Sequence, residues 1–321
     1  MESAYEPKTL QEAILYFGDL DNCLKYLVAK RWPNGVVCPT CGSKEVIFLA
    51  NQRRWKCRGK HPKQQFSAKV GTIMEDSPIG IDKWLMAIWQ VVNCKNGISS
   101  YEVHRAIGIT QKSAWFMDHR IRFAFGLGSP EKASGHVEAD ETFIGAKSRN
   151  MHKDVRARKI TGTGGKDKTA VIGILERSKD GKHSTVRTAV VPNRKKSSLQ
   201  AEVRKHVEAG SALYTDALQS YKGLDEFEHK VIDHAVAYVD GQVHTNGLEN
   251  FWSLLKRGIN GTYVSVEPFH LFRYLDEQVY RFNNRKMNDG ERFELAVRQI
   301  VGKRLTWNVL TGKTDSATCP N

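Results

Sequence analysis

Apolar residues recur at two different periods along the chain, and the change falls near residue 130. Before it the spacing is three and four residues, as on one face of a helix. Leu10, Ala13, Ile14 and Phe17, then Leu20, Leu24 and Leu27, predict inward-facing helical positions over 9–30, interrupted at Gly18-Asp19. Cys23 falls among them and reads as a core thiol. Ile81, Trp84, Leu85, Ile88, Val91 and Val92 predict a helix over 81–93. Ser99-Ser100-Tyr101-Glu102 is a capping box opening a helix through Val103, Ala106 and Ile107, which Gly108 stops. Thr110 caps a further helix to Arg122, with Ala114, Trp115, Met117 and Ile121 inward.

Beyond a linker at Gly126-Leu127-Gly128-Ser129-Pro130 the period becomes two. Strands are expected at 136–144, 169–175, 185–191, 212–216 and 230–233. The first puts His136, Glu138 and Asp140 on one face. Residues 147–168, with Lys147, Arg149, Lys153, Arg156, Arg158 and Lys159, read as a basic, glycine-rich loop. A helix starts at Ser197 and runs to about Ala209. Leu248, Phe251, Trp252 and Leu255 then mark an amphipathic helix with Gly258 as its stop. A last helix covers about 267–284, with Phe269, Phe272, Leu275, Val279 and Phe282 inward.

Composition narrows the function classes. The 321 residues are 40% hydrophobic and 26% charged, as in ordinary globular proteins, and allow two or three domains. Lys and Arg outnumber Asp and Glu 49 to 35, a net charge of +14, which points to a polyanionic partner such as nucleic acid. A solvated basic surface is the plainer explanation of the same number. No run of 18 apolar residues predicts a membrane span, and Met1-Glu2-Ser3-Ala4-Tyr5-Glu6 lacks the pattern of a signal peptide, so a cytoplasmic protein is expected.

The six cysteines change the picture further, because their clustering suits metal binding better than a disulfide framework. Cys38-Pro39-Thr40-Cys41-Gly42 is followed after fifteen residues by Cys57, then His61. Three thiolates and an imidazole at these spacings suit a tetrahedral, structural Zn²⁺. Strands at Val46-Ile47-Phe48-Leu49 and Arg54-Trp55-Lys56 would form a small hairpin between them. Arg53, Arg54, Lys56, Arg58, Lys60 and Lys63 give this ribbon a basic character. The helix pair around Gly108 fits a helix-turn-helix, with Lys112, His119, Arg120 and Arg122 as the basic side of the second helix. Helix pairs of this kind also occur in proteins that bind nothing.

The remaining chemistry centres on His244-Thr245-Asn246-Gly247-Leu248-Glu249 and the helix it begins. Glu249 and Lys256 are seven residues apart and share one side of that helix. Asn246-x-x-Glu249 also fits a capping box, with Lys256 as a cation near the helix end. One carboxylate does not hold divalent ions, so partners are needed, and Asp140 and Asp216 are the candidates. Each has a plain alternative. Asp216 suits a strand end, and Asp140 has Glu138 and Glu141 as rival ligands. The order of elements, three strands as a meander, helix, strand, helix or turn, strand, helix, is that of the ribonuclease H-like fold. There the first and fourth strands are neighbours, so Asp140, Asp216 and Glu249 would converge. The expected organisation is multidomain α+β: an N-terminal helical segment (1–30), a zinc ribbon (31–76), a helix-turn-helix region (78–128) and a ribonuclease H-like α/β catalytic domain (134–310).

The chain resembles bacterial insertion-sequence transposases of the DDE type with an N-terminal zinc ribbon, the ISXO2-like family. The resemblance covers nearly the whole chain. It is carried by Cys38-Pro-Thr-Cys41-Gly, Val137-Glu-Ala-Asp140-Glu-Thr-Phe-Ile-Gly145, Tyr214-Thr-Asp216 and His244-Thr-Asn246-Gly-Leu-Glu249 with Phe251-Trp252-Ser-Leu-Leu-Lys256-Arg257. It implies an acidic triad mapping onto Asp140, Asp216 and Glu249, with Lys256 as the basic residue two turns after the third acid. Some relatives use an Asn as the third ligand, which makes Asn246 the alternative there. His61 stands where a second Cys-x2-Cys pair would be usual. The implied function is DNA transposition: nicking of element ends and joining of the 3′-OH to target double-stranded DNA. Two Mg²⁺ or Mn²⁺ ions would assist, and the protein would act as a homodimer or larger on DNA in the bacterial nucleoid. A structure-selective nuclease and a non-catalytic DNA-binding regulator descended from a transposase are the competing functions.

Overall fold

A computed structural model of the chain describes residues 5–126, 131–145, 153–154, 157, 168–178, 183–232 and 245–313. Most of the basic stretch at 147–168, most of the linker at 126–130, and Asp233 and His244 lie outside the described residues. The chain packs as two compact units: residues up to Gly126 together with those from Met287 on, and Leu127–Lys286. The expected 134–310 domain therefore ends earlier in packing terms, because the chain after Lys286 returns to the first unit. Among the described residues no helix is long and apolar enough to cross a membrane.

The first unit contains α1 (Leu10–Phe17), α2 (Leu20–Arg31), a three-stranded antiparallel ribbon β1 (Val46–Leu49), β2 (Arg54–Cys57) and β3 (Gln65–Phe66), then α3 (Ile81–Asn93), α4 (Ser100–Ile107) and α5 (Gln111–Phe125). The break at Gly18-Asp19 is a helix start, since the Asp19 side chain accepts from the amides of Asp21 and Asn22. Ala13, Phe17, Cys23, Leu24 and Leu27 are buried as expected. Leu10, Ile14 and Leu20 are exposed instead, because α1 is two turns long and turns only Ala13 and Phe17 inward. The Ser99/Glu102 capping box is present, and Gly108 ends α4 at a φ of 61°, a left-handed position suited to glycine. Burying Trp84, Leu85, Ile88, Trp89, Val91 and Val92 makes α3 the central helix.

The element that periodicity missed, α9 (Asp289–Gln299), completes this core. Phe293 is fully buried, with its ring 5.0 Å from Trp89, 5.6 Å from Phe17 and 5.7 Å from Tyr26. A second capping box, Asn288 with Glu291, starts this helix. The chain ends its described part in α10 (Trp307–Leu310).

The basic side expected on α5 is corrected. His119, Arg120 and Arg122 are buried, and only Lys112 of the four is exposed. Arg120 donates to the carbonyls of Leu305, Ile73 and Glu75 at 2.9–3.0 Å. The Arg120 guanidinium thus ties loops to the helix bundle. Helical spacing cannot distinguish an arginine that bonds inward from one that faces solvent.

The second unit is built on a five-stranded mixed sheet of β4 (His136–Ile144), β5 (Thr169–Glu176), β6 (Thr185–Val191), β7 (Ala212–Asp216) and β8 (Glu228–Ile232). Its spatial order is β6-β5-β4-β7-β8, with β4, β5 and β6 antiparallel neighbours and β4, β7 and β8 parallel. On one face α6 (Lys196–His206) lays Leu199 and Val203 against Val137, Ala139, Ile172, Ile174 and Leu213. The other face is covered by α7 (Asn246–Gly258) and α8 (Leu271–Asn283), with Leu248, Phe251, Trp252, Leu255 and Leu275 against Val171, Leu175 and Val186. Phe269 and Phe272 are exposed rather than inward, since α8 starts only at Leu271 and buries Tyr274, Leu275 and Phe282.

Candidate active site and metal centres

The strand period sorts the acids of β4. Val137 and Ala139 face α6, so Glu138 and Asp140 face α7. The parallel ladder between β4 and β7 pairs His136 with Ala212, Val137 with Leu213 and Glu138 with Tyr214. Two residues further on, Asp140 and Asp216 stand where the two strands part. Ligand atoms of Asp140, Glu141 and Asp216 all lie within 4.8 Å of one another. Glu141 comes from the opposite side of the strand and is fixed by Tyr221, whose buried hydroxyl donates to its Oε2 at 3.0 Å. Asp216 accepts from the Leu218 amide at 3.1 Å, which shapes the turn after β7.

Three carboxylates so close repel one another. Burial, opposed by a hydrogen bond from Trp252 and reinforced by the Asp216 and Glu249 charges, pushes the Asp140 carboxyl up to about 6. Burial and the Asp216 charge push Glu141 up to about 7. A divalent cation would relieve this repulsion, and an all-oxygen donor set suits Mg²⁺ or Mn²⁺. The residues present therefore fit such an ion.

Glu249 lies in the first turn of α7 and is exposed. It is not among the atoms that converge with Asp140 and Asp216, though its charge is felt at Asp140. The capping box anticipated from Asn246 and Glu249 does not form: Thr245 is the cap residue, without a side-chain cap bond, and Asn246 is the first residue of the helix. Lys256 is exposed in the last turn. Of the two rivals to Asp140, Glu138 is only 1% exposed and engaged elsewhere. Its Oε1 accepts from Arg177 Nε at 2.8 Å and its Oε2 from the Leu248 amide at 3.0 Å. Sequence reasoning missed the part of Trp252, whose indole Nε1 donates to Asp140 Oδ2 at 2.9 Å. The apolar stripe marked that residue only as core.

In the ribbon, Cys38, Cys41, Cys57 and His61 converge in the same manner. Cys41 Sγ and Cys57 Sγ are 3.6 Å apart, and Cys38 Sγ is 3.4 Å from His61 Nε2. A tetrahedral Zn²⁺ with ordinary bond lengths has ligand–ligand edges of about 3.5–3.8 Å. Burial raises the Cys38 thiol, but the Cys41 and Thr40 amides and the neighbouring thiols outweigh it and bring it down to about 7, towards the thiolate that zinc needs. Beside this cluster, Trp32, Trp55 and Phe66 supply the module's small aromatic core. The side chains of Arg53, Arg54, Lys56, Arg58, Lys60 and Lys63 are exposed around it.

Comparison with known proteins gives the same two modules. Residues 132–283 match the family of the ISXO2-like transposase domain, and residues 18–59 match a transposase zinc-ribbon domain. The chain is 28% identical over 243 residues to a protein in transposable element ISH50 of Halobacterium salinarum, spanning 72% of this chain and 80% of that protein. It is 37% identical over 101 residues to a transposase-like protein of Haemophilus influenzae, spanning 31% of this chain and 81% of that protein.

Proposed function

The chain belongs to the ISXO2-like transposase family, and from that premise we propose that it nicks the ends of an insertion element and joins them to target DNA. The observation that carries this reading is the convergence of Asp140, Glu141 and Asp216 at the point where β4 and β7 separate. The strand order, with the first strand central between the second and fourth, supports a ribonuclease H-like catalytic domain. Asp140 and Asp216 hold divalent metal, Glu249 completes the set when DNA is bound, and Asn246 is the alternative third ligand. Glu141 lies close enough to Asp140 and Asp216 to be a further ligand. Bound Mg²⁺ or Mn²⁺ supplies a nucleophile at neutral pH and neutralises charge at the reacting phosphate.

The residues of the chain orient the reactants. In the first reaction water attacks phosphorus at the element end, the P–O3′ bond breaks, and the 3′-oxygen leaves as a hydroxyl. In the second that hydroxyl attacks a phosphodiester of the target, forming one bond and releasing another 3′-oxygen. Lys256, two turns from Glu249 on α7, holds a phosphate beside the reacting one. The ribbon, with its exposed arginines and lysines around a structural Zn²⁺, contacts DNA. The helix-turn-helix reading of α4 and α5 now rests on the first turn of α5, where Lys112 is exposed, rather than on the buried arginines. Two ends must be joined together, so the working form is a dimer or larger on DNA, in the bacterial cytoplasm.

Strand transfer separates this function from its rivals. Incubated with Mn²⁺, a labelled duplex with a pre-cut element end and a supercoiled plasmid, the protein is expected to join label to plasmid. Cleavage without joining would make it a nuclease. Specific binding with neither product would make it a regulator.

A further inference from the structure

Apolar contacts hold α7 on the sheet, but they are non-directional and do not fix how far the helix slides or turns. Two hydrogen bonds from β4 do. The Leu248 amide, one of the first-turn N–H groups that the helix itself cannot satisfy, is capped from another element by Glu138 Oε2 at 3.0 Å. One turn later the Trp252 indole donates to Asp140 Oδ2 at 2.9 Å. Four residues of helix rise about 6 Å. Two residues of strand rise about 6.6 Å. The spacings match, so a single register satisfies both bonds, and Glu249 lies between the two points in sequence.

Two glycines make this docking possible. Gly173 is paired with Asp140 across the sheet, and a Cβ there would sit 2.5 Å from Trp252 Cζ2, 2.8 Å from its Cη2 and 2.9 Å from Leu248 Cδ2. A Cβ on Gly247 would sit 2.9 Å from Glu138 Oε2. Glu138 is itself held by Arg177 Nε at 2.8 Å, which offsets the cost of its burial. On Asp140, Oδ2 takes the indole N–H and Oδ1 takes the Glu141 amide at 2.8 Å. Each carboxylate oxygen has two acceptor positions, so one remains on each for a cation while rotation of the group is blocked.

We propose that Glu138 and Trp252 are positioning residues: together they lock the helix carrying Glu249 in register with the strand carrying Asp140, and the Trp252 indole holds the Asp140 carboxylate in its metal-binding orientation. This rests on the reading of Asp140 as a metal ligand.

The test is Mn²⁺ affinity of the zinc-loaded full chain, read from the electron paramagnetic resonance signal of free Mn²⁺, so it does not depend on DNA cleavage. Trp252→Phe keeps the ring and removes the donor. Gly173→Ala keeps the donor and displaces it. Both are expected to weaken Mn²⁺ binding about 10–100-fold, the usual effect of losing a group that orients a metal ligand. Glu138→Gln, which loses the charge facing Arg177, is expected to weaken it in the same direction. Leu255→Ala removes core packing from the same helix and is expected to lower the Tm while leaving Mn²⁺ affinity unchanged. Asp140→Ala is expected to abolish binding at this site. Wild-type affinity in folded Trp252→Phe, with binding lost in Asp140→Ala, overturns the clamp and leaves the site intact. The clamp is equally overturned, and only packing remains, where Leu255→Ala weakens binding as much as Trp252→Phe. Full binding in Asp140→Ala overturns the metal site and the clamp with it.

Discussion

Asp140 is held in a strained electrostatic setting by its neighbours, and that has a consequence at the scale of single residues. Its carboxyl and that of Glu141 are raised, to about 6 and about 7, chiefly by burial. A carboxyl raised in the folded state binds protons that the unfolded chain has released. Its contribution to stability is therefore largest below the ordinary carboxylate range and declines as pH rises towards 7. A cation displaces those protons. Calorimetric titration with Mn²⁺ in buffers of different ionisation enthalpy should show proton release at pH 6 and close to none at pH 8.5. No release at pH 6 would show that these carboxyls are already ionised there. Asp216→Asn removes one repelling charge, so without metal at pH 7.5 it should raise the Tm of the second unit by a few degrees, about what 1 kcal/mol produces in a domain of this size. A fall in Tm would mean that the charge is compensated.

At the scale of elements, α5 shows what periodicity can and cannot tell. Its start and N-cap were legible, because Thr110, Ala114, Met117 and Ile121 obey helical spacing, although the helix runs on to Phe125, past the expected end at Arg122. The destination of its arginines was not, since burial of Arg120 depends on carbonyls at residues 73, 75 and 305 that only the fold brings together. Arg120→Ala should therefore cost about 3 kcal/mol, by leaving several buried carbonyls without donors. Lys112→Ala should leave the Tm unchanged and weaken DNA binding. Thermal melts and a binding titration on both variants check this, and reversed outcomes would restore the buried side of α5 as the DNA-facing one. The ribbon was legible through its cysteine spacing. Asp140 and Asp216, which the structure brings together, were legible as a mid-strand residue and a strand end. Glu141 was legible only as a rival to Asp140 and not as its companion, because alternation assigns it to the opposite face. Nor was the cap of α7 legible, because Glu138 is 110 residues from Leu248 in sequence. For the ribbon, chelation of zinc should expose Trp55 and Trp32, seen as a red-shifted fluorescence, while the helical signal of the chain persists.

At the scale of the whole molecule, a net charge of +14 with an exposed basic ribbon predicts binding to DNA that is steeply salt-dependent. Replacing Arg54 and Lys56 together should reduce the slope of log affinity against log salt by about 2, if both contact phosphate. An unchanged slope would place the DNA contacts elsewhere. The return of the chain after Lys286 to the first unit also matters here. The second unit is an insertion between α5 and α9, so truncation after Lys286 should unfold the first unit by removing Phe293 from its core.

The measurement that bears most directly on the central claim is Mn²⁺-dependent cleavage of a labelled duplex carrying the ends of the surrounding element. Wild type would be compared with Asp140→Ala, Asp216→Ala, Glu249→Gln, Asn246→Ala and Glu141→Gln, each checked for folding by circular dichroism. Cleavage should vanish in the first three variants and survive Asn246→Ala, with Glu141→Gln reporting whether the fourth carboxylate is needed. Cleavage that persists in folded Asp140→Ala or Asp216→Ala would contradict the account.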